Sequence, residues 1–393
     1  MNYYIIPKNN CISELTPVFS NAIHPCISHS LIYYLNDIYQ QMSTIPEKDA
    51  CEIKKAVNPL EFVFSTVPGS SFSVSKIKTD NNVFYELMEL LQTCNLMDYL
   101  TESLHLSICH IGPNNETTNY LLDMIREDKN DNLVALNFDV NLLNSMFLQQ
   151  QHDNQAKFDV MLVEWTDSEY KNVNTNIRNM LLTLACISKM QKMNGISIVK
   201  IDNLFYRPIL EVIFLLSSLY DKVALVKPSN SNILSGERYL VCRGFGENIN
   251  ADNIVNLNSQ IEDRIIRLFS VYNSEPIVSL LNHELPYFFV NRIEEPNAII
   301  GQQQLEAYDH VINIYKNKNK DDKIDTLKRN HIQKCIQWCE KNQIPHNKFS
   351  DKVNIFLLPK KRELEIGLST SSASSSSSSS SSSEEETEEA EAV

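Results

Sequence analysis

Three ionisable residues draw attention because each falls at the end of, or beside, a short apolar run. They are Glu164 in FDVMLVEW, Lys200 in GISIVKI and Glu237 just before RYLVC. Such a set is an active site, the remains of one, or an ion pair. A strand-end lysine can snorkel and Glu237 can pair with it, which needs no chemistry at all. Other chemistries have weaker signals. His331, Cys335 and Cys339 share one helical face and could turn toward a metal, but no fourth ligand is near in sequence, and small core cysteines are common. The chain has no glycine-rich loop ending in Gly-Lys-Ser/Thr and no Gly-x-Ser-x-Gly elbow. The turn Pro68-Gly69-Ser70-Ser71 is of a kind that can hold a ligand, though nothing else in the sequence supports that.

The elements that must position the three residues lie within 157–245. Strands are expected over 157–165, 196–201, 223–226 and 239–242, with helices over 172–193 and 204–220. The strand runs are short and almost continuously apolar, as expected where helices cover both faces of a sheet. The polar loop PSNSNILSG over 228–236 is rich in turn formers and suits substrate contacts near the carboxyl side of such a sheet.

Upstream, 104–111 reads as a strand. It runs into Gly112-Pro113-Asn114-Asn115 and then a helix through TTNYLLDMI. Strand, tight loop and helix in that order mark the cofactor loop of a Rossmann-like domain. Val134–Phe138 would be the next strand. Asp139, just beyond it, is placed to hold a ribose hydroxyl or simply to cap a helix. Residues 82–91 form a helix after the cap-like Asp80, with Phe84, Leu87, Leu90 and Leu91 inward and Glu86 and Glu89 on different faces. The first 60 residues look irregular to partly helical, with a helix over 29–42, and 61–67 is a short strand candidate. Beyond Phe245, 262–272 and 278–283 look helical or mixed. Helices are expected over 299–315 (Leu305, Ala307, Tyr308, Val311 and Ile312 inward) and 331–340, with an exposed charged run over 316–329 between them.

Composition bounds the class. The 393 residues are 43% hydrophobic and carry a net charge of −14, and six glutamates from Glu384 onward supply much of that acidity. A mildly acidic body argues against broad nucleic-acid coating but leaves room for a local basic groove. Nine scattered cysteines suggest reduced thiols in a cytosolic compartment. No apolar run reaches 18 residues, so no membrane partner is expected. Residues 369–383 are nearly pure serine and, with the acidic end, cannot build a core.

The order FDVMLVEW, GISIVKI, DKVALVKPSNSNILSGERYLVCRGF resembles the second half of the FtsJ/RrmJ-like ribose 2′-O-methyltransferases, closest to the cap-methyltransferase-like proteins of large cytoplasmic DNA viruses. The resemblance runs from about Val83 to Phe245. It implies an α/β fold with a Rossmann-like, doubly wound methyltransferase sheet whose last strand is antiparallel, carrying here a helical C-terminal appendage. The implied domains are an extension over 1–60, the methyltransferase-fold domain over 61–250, the appendage over 251–366 and the poly-serine acidic tail over 367–393. The implied cofactor is S-adenosylmethionine. The implied partners are RNA, in the viral case capped mRNA, and a protein bound through the appendage, in the cytoplasm, a virus factory or the virion.

The family's catalytic set is lysine, aspartate, lysine, glutamate. Lys200 matches the second lysine and Glu237 the glutamate. Glu164 stands where the family has aspartate, and Glu86 falls where it has its first lysine. Gly112, Pro113 and Asn114 occupy the methyl-donor loop, with Asp139 at the ribose position. Lys227, Pro228, Ser229 and Ser235 match the stretch bordering the RNA groove. Lys76 and Lys78, just before the Glu86 helix, are the nearest lysines that could reach toward the first-lysine position. Two readings follow: a divergent 2′-O-methyltransferase, or a methyltransferase-fold protein that has lost donor binding and serves as an RNA- or protein-binding subunit.

Overall fold

The computed structural model describes residues 2–9, 14–79, 81–126, 130–136, 157–166, 172–202, 204–246, 275–317 and 321–347. Asp80, Asp139, 262–272 and the serine-rich tail lie outside the described residues.

The main sheet has seven strands: β1 (Asn2–Ile6), β3 (Ser107–Ile111), β4 (Asn132–Leu136), β5 (Phe158–Val163), β6 (Gln191–Ile201), β7 (Tyr220–Lys227) and β8 (Arg238–Phe245), in the order β1-β7-β8-β6-β5-β3-β4. β4, β3, β5 and β6 run parallel. β8 lies between β6 and β7 and is antiparallel to both, which is the reversed last strand expected from the sequence. The chain leaves β3 outward to β4 and then returns inward to β5 on the other side of β3. The sheet is therefore doubly wound, with its switch point between β3 and β5, where such sheets form their crevice.

Helices α1 (His29–Met42), α2 (Glu47–Val57), α3 (Glu61–Phe64), α4 (Val83–Thr93), α5 (Met97–Glu102), α6 (Asn115–Ile125), α7 (Val173–Met190), α8 (Arg207–Leu219), α9 (Tyr287–Lys316) and α10 (Asp321–Lys341) complete the chain. The central strands are buried on both faces: Ile198, Val199, Leu240, Val241 and Cys242 are all at most 3% exposed. α7 and α8 are buried almost all round because one side meets the sheet and the other meets further chain. α4 is buried from Val83 through Leu91, so Glu86 and Glu89, on different faces, are both inside.

Several expectations are corrected. The N-terminal residues are not merely irregular: β1 pairs antiparallel with β7 and extends the sheet by an edge strand. β2 (Leu15–Phe19) pairs with β9 (Ile277–Leu281) in a separate two-stranded sheet, so 278–283 is mostly strand. Both pairings join segments more than 200 residues apart, which local patterning cannot reveal. Residues 61–64 form the short helix α3 instead of a strand. Glu61 fixes it by accepting from Asn58 Nδ2 at 3.0 Å and from Ser65 Oγ at 2.5 Å, and that local bonding overrides the β preference of Phe and Val. The helix expected over 172–193 ends at Met190, and β6 starts at Gln191. α9 begins at Tyr287 and runs through Pro296, and α10 begins at Asp321, within the charged run and ahead of the helix expected over 331–340.

Candidate functional site

Lys200 lies at the carboxyl end of β6, opposite Tyr239 of β8. Its Nζ is 2.9 Å from Glu237 Oε2, and the two side chains are only 11% and 19% exposed. Glu237 is held from behind, because its backbone N–H donates to Ser235 Oγ at 3.0 Å. The sequence pair is thus a spatial pair. Burial alone would lower the Lys200 pKa, but the carboxylates of Glu86, Glu237 and Glu164 together outweigh it and hold the ammonium charged.

Glu86 enters from α4. Tyr239 donates its hydroxyl proton to Glu86 Oε2 at 2.5 Å, and Asn82 Nδ2 donates to Oε1 at 3.1 Å. Burial pushes the Glu86 pKa up, against the opposing pull of Lys200 and the Tyr239 hydrogen bond. The structure therefore brings Lys200, Glu237 and Glu86 together, with Tyr239 as a fourth member that the sequence reading did not single out. Its position two residues after Glu237 on a paired strand was the available signal.

Glu164 points elsewhere. It follows β5, and its Oε1 accepts from the Asn114 backbone N–H at 2.9 Å while lying 3.2 Å from His110 Nε2. Thr118 Oγ1 sits 2.9 Å from His110 Nδ1, fixing the ring from its other side. Burial would raise the Glu164 pKa, but its contacts with His110 and Asn114 and the charge of Lys200 bring it below the ordinary value. His110 was also missed; a histidine in the middle of an apolar strand was its sequence mark.

Glu164 also closes the loop after β3. Gly112 has φ +134°, and a Cβ there would lie 2.4 Å from the Glu164 carbonyl oxygen and 2.6 Å from its Cγ. The close approach that only glycine permits is thus used by the chain's own residue. The N-terminus of α6, the natural seat for an anionic group, is occupied by the Glu164 carboxylate. Asn81 Nδ2 donates to Asn114 Oδ1 at 2.7 Å and to Thr117 Oγ1 at 3.1 Å, drawing the α4 entry onto the same loop. In this loop the Asn114 amide and the space over Gly112 are thus taken up by Glu164. Pro113 is exposed beside it.

The stretch matched to the RNA-groove border has mixed placements. Lys227 is buried, and its ammonium donates to the carbonyls of Asn232, Ser235 and Glu237 at 3.2, 2.8 and 2.9 Å. Burial, with help from the Arg238 charge, lowers its pKa to about 8. It staples the 228–236 loop. Ser229 is exposed and Ser235 positions Glu237. Asn230 joins the loop to α4: its Nδ2 donates to Asn82 Oδ1 at 2.8 Å, and its N–H donates to Glu89 Oε2 at 3.2 Å. Trp338 of α10 donates to the same Glu89 oxygen at 3.1 Å, so the C-terminal helix is tied into the network.

Cys335 and Cys339 are buried, and among the described residues no cluster of metal-ligating groups occurs. Among them, too, no helix is long and apolar enough to cross a membrane.

No family model matches the chain, and no curated protein does. Solved structures resemble it weakly. A crystal structure assigned to a ribosomal RNA methyltransferase of Plasmodium falciparum aligns at 16% identity over 42% of this chain and 98% of that one, with a TM-score of 0.32. Human methyltransferase-like protein 13 in complex with SAH aligns at 10% identity over 46% and 92%, with a TM-score of 0.30. A probable spermidine synthase from Corynebacterium glutamicum gives 10%, 55% and 89%, with a TM-score of 0.31. Likenesses this weak say nothing about activity, and the doubly wound fold rests on the strand order itself.

Proposed function

We propose that this chain is a catalytically silent protein on the methyltransferase fold, acting as an RNA-binding subunit. The observation that carries this reading is the Glu164 carboxylate seated on the Asn114 amide and packed over Gly112, where a methyl donor would need the loop open. Charge supports it. The resembling set has two lysines and two carboxylates, whereas here one lysine pairs with Glu237 and also feels the charges of Glu86 and Glu164. An alkoxide developing on a ribose oxygen would meet surplus negative charge instead of a second ammonium.

Titration calorimetry of the full chain with S-adenosylmethionine tests the reading. No heat of binding is expected at micromolar ligand, and a micromolar Kd would overturn it. A second reading, a divergent 2′-O-methyltransferase, is favoured by one feature, the 2.9 Å Lys200–Glu237 pair. It requires labelled methyl transfer to capped RNA that Lys200→Ala abolishes.

A further inference from the structure

A cavity among the described residues lies apart from the Lys200 centre. It measures about 1000 Å³ and lies between α2, α3, the 65–79 segment and α10. Four lysines line it: Lys55, Lys76, Lys78 and Lys328. Between them stand the rings of Phe64 and Phe72, the latter 45% exposed. Among the described residues that line it, the one acid is Glu52. A chain with a net charge of −14 thus turns a cationic wall into this cavity. Lys328 has Asp325 at 4.0 Å, while Lys55, Lys76 and Lys78 are in no ion pair among the described residues.

The walls are preformed. Val74 N–H donates to the Phe62 carbonyl at 2.8 Å, Ser75 N–H to Val63 at 3.2 Å, Lys76 N–H to Pro345 at 2.8 Å, and Asn347 N–H to Val74 at 2.8 Å. Ser70 Oγ lies 3.0 and 2.8 Å from the carbonyls of Val67 and Phe72, within donating distance of either, which shapes the small-residue turn at the rim. Phosphate-binding cations interleaved with aromatic faces are the chemistry of single-stranded nucleic-acid grooves. An acidic peptide would use the lysines but has no need of the rings, and a partner helix would want an apolar stripe where this lining has hydroxyls. The same segment leads directly into α4, because Tyr85 Oη donates to the Ile77 carbonyl at 2.7 Å.

We infer that this cavity binds single-stranded RNA, with Lys55, Lys76, Lys78 and Lys328 on phosphates and Phe64 and Phe72 stacking bases. The inference rests on the RNA-binding reading above and places its RNA site away from the Lys200 centre.

The test is fluorescence anisotropy of the full chain with a labelled, uncapped 12-nucleotide single-stranded RNA, titrated over a range of salt. Binding should weaken with salt. The K76A/K78A variant should lose about tenfold in affinity and flatten the log–log salt slope by about 1.4, at roughly 0.7 per phosphate contact. Phe72→Ala should lose about tenfold. Lys316→Ala, exposed on α9 outside the cavity, should bind as the parent does. Thermal melts check that each variant folds. Binding intact in K76A/K78A and F72A but lost in Lys200→Ala would overturn the cavity while leaving the RNA-binding reading standing. Polyglutamate displacing the RNA at equal concentration would overturn it in favour of an acidic protein partner. No RNA binding by the parent at low salt would overturn both.

Discussion

Glu164 Oε1 accepts the Asn114 backbone proton at 2.9 Å, so the residue that follows β5 caps the helix that follows β3. One carboxylate thereby locks the two strands that flank the switch point, in the place where a doubly wound sheet would open to a ligand. Because the Glu164 pKa lies below its ordinary 4.5, the unfolded chain binds its proton more readily than the native chain does. The stability it contributes is present above pH 4.5 and is lost as the pH falls through the native value. Glu164→Gln should cost about 1–2 kcal/mol at pH 7, the difference between a charge-assisted and a neutral hydrogen bond at a helix N-terminus. Urea unfolding at pH 7 and pH 3 should show that gap closing in acid. A gap independent of pH would mean that Glu164 is not held as described.

Glu86 has the opposite sign. Its raised pKa means that folding disfavours its ionised form. The resulting penalty is absent at low pH, grows as the pH rises past the ordinary carboxyl value, and is complete above the native pKa. Glu86→Gln keeps an acceptor for Tyr239 and removes the charge. The variant should gain stability relative to the parent as the pH is raised from 4 to 8, read from midpoints of denaturant unfolding. A gain that shrinks with rising pH contradicts the assignment.

Lys200 is the cation shared by Glu237, Glu86 and Glu164. Lys200→Met leaves buried negative charge uncompensated and should cost about 3 kcal/mol. Adding Glu237→Gln should restore part of that loss. The double-mutant cycle should give a coupling of about 1–3 kcal/mol. Additive losses would show that the 2.9 Å pair carries no energy of its own.

Trp338 ties α10 to α4 through Glu89, whose same oxygen also receives the Asn230 amide. Trp338→Phe preserves the apolar contact and removes the donor. The expected cost is about 1–2 kcal/mol. Hydrogen exchange should speed up in α10 and in the 228–236 loop together, because both meet at Glu89. Faster exchange in α10 alone would break the proposed connection.

The sequence by itself determined the centre of this molecule. Short, continuous apolar runs over 157–165, 196–201, 223–226 and 239–242 favour strands buried on both faces, and the structure has strands there. The closeness of Lys200 and Glu237 was implied by the family resemblance, and the antiparallel pairing of β6 with β8 brings it about. Tertiary structure decided the rest. The β1–β7 and β2–β9 pairings are non-local, and backbone hydrogen bonding leaves little mark on composition. α3 follows from two side-chain bonds to Glu61, which no periodicity shows. Above all, the resemblance put Glu164 at a catalytic aspartate's position, and only the folded chain shows its side chain on Asn114 and Gly112. Residue order fixes which strand end a carboxylate leaves from. Where it then points depends on which buried amide lacks a partner, and only the folded chain brings that amide within reach.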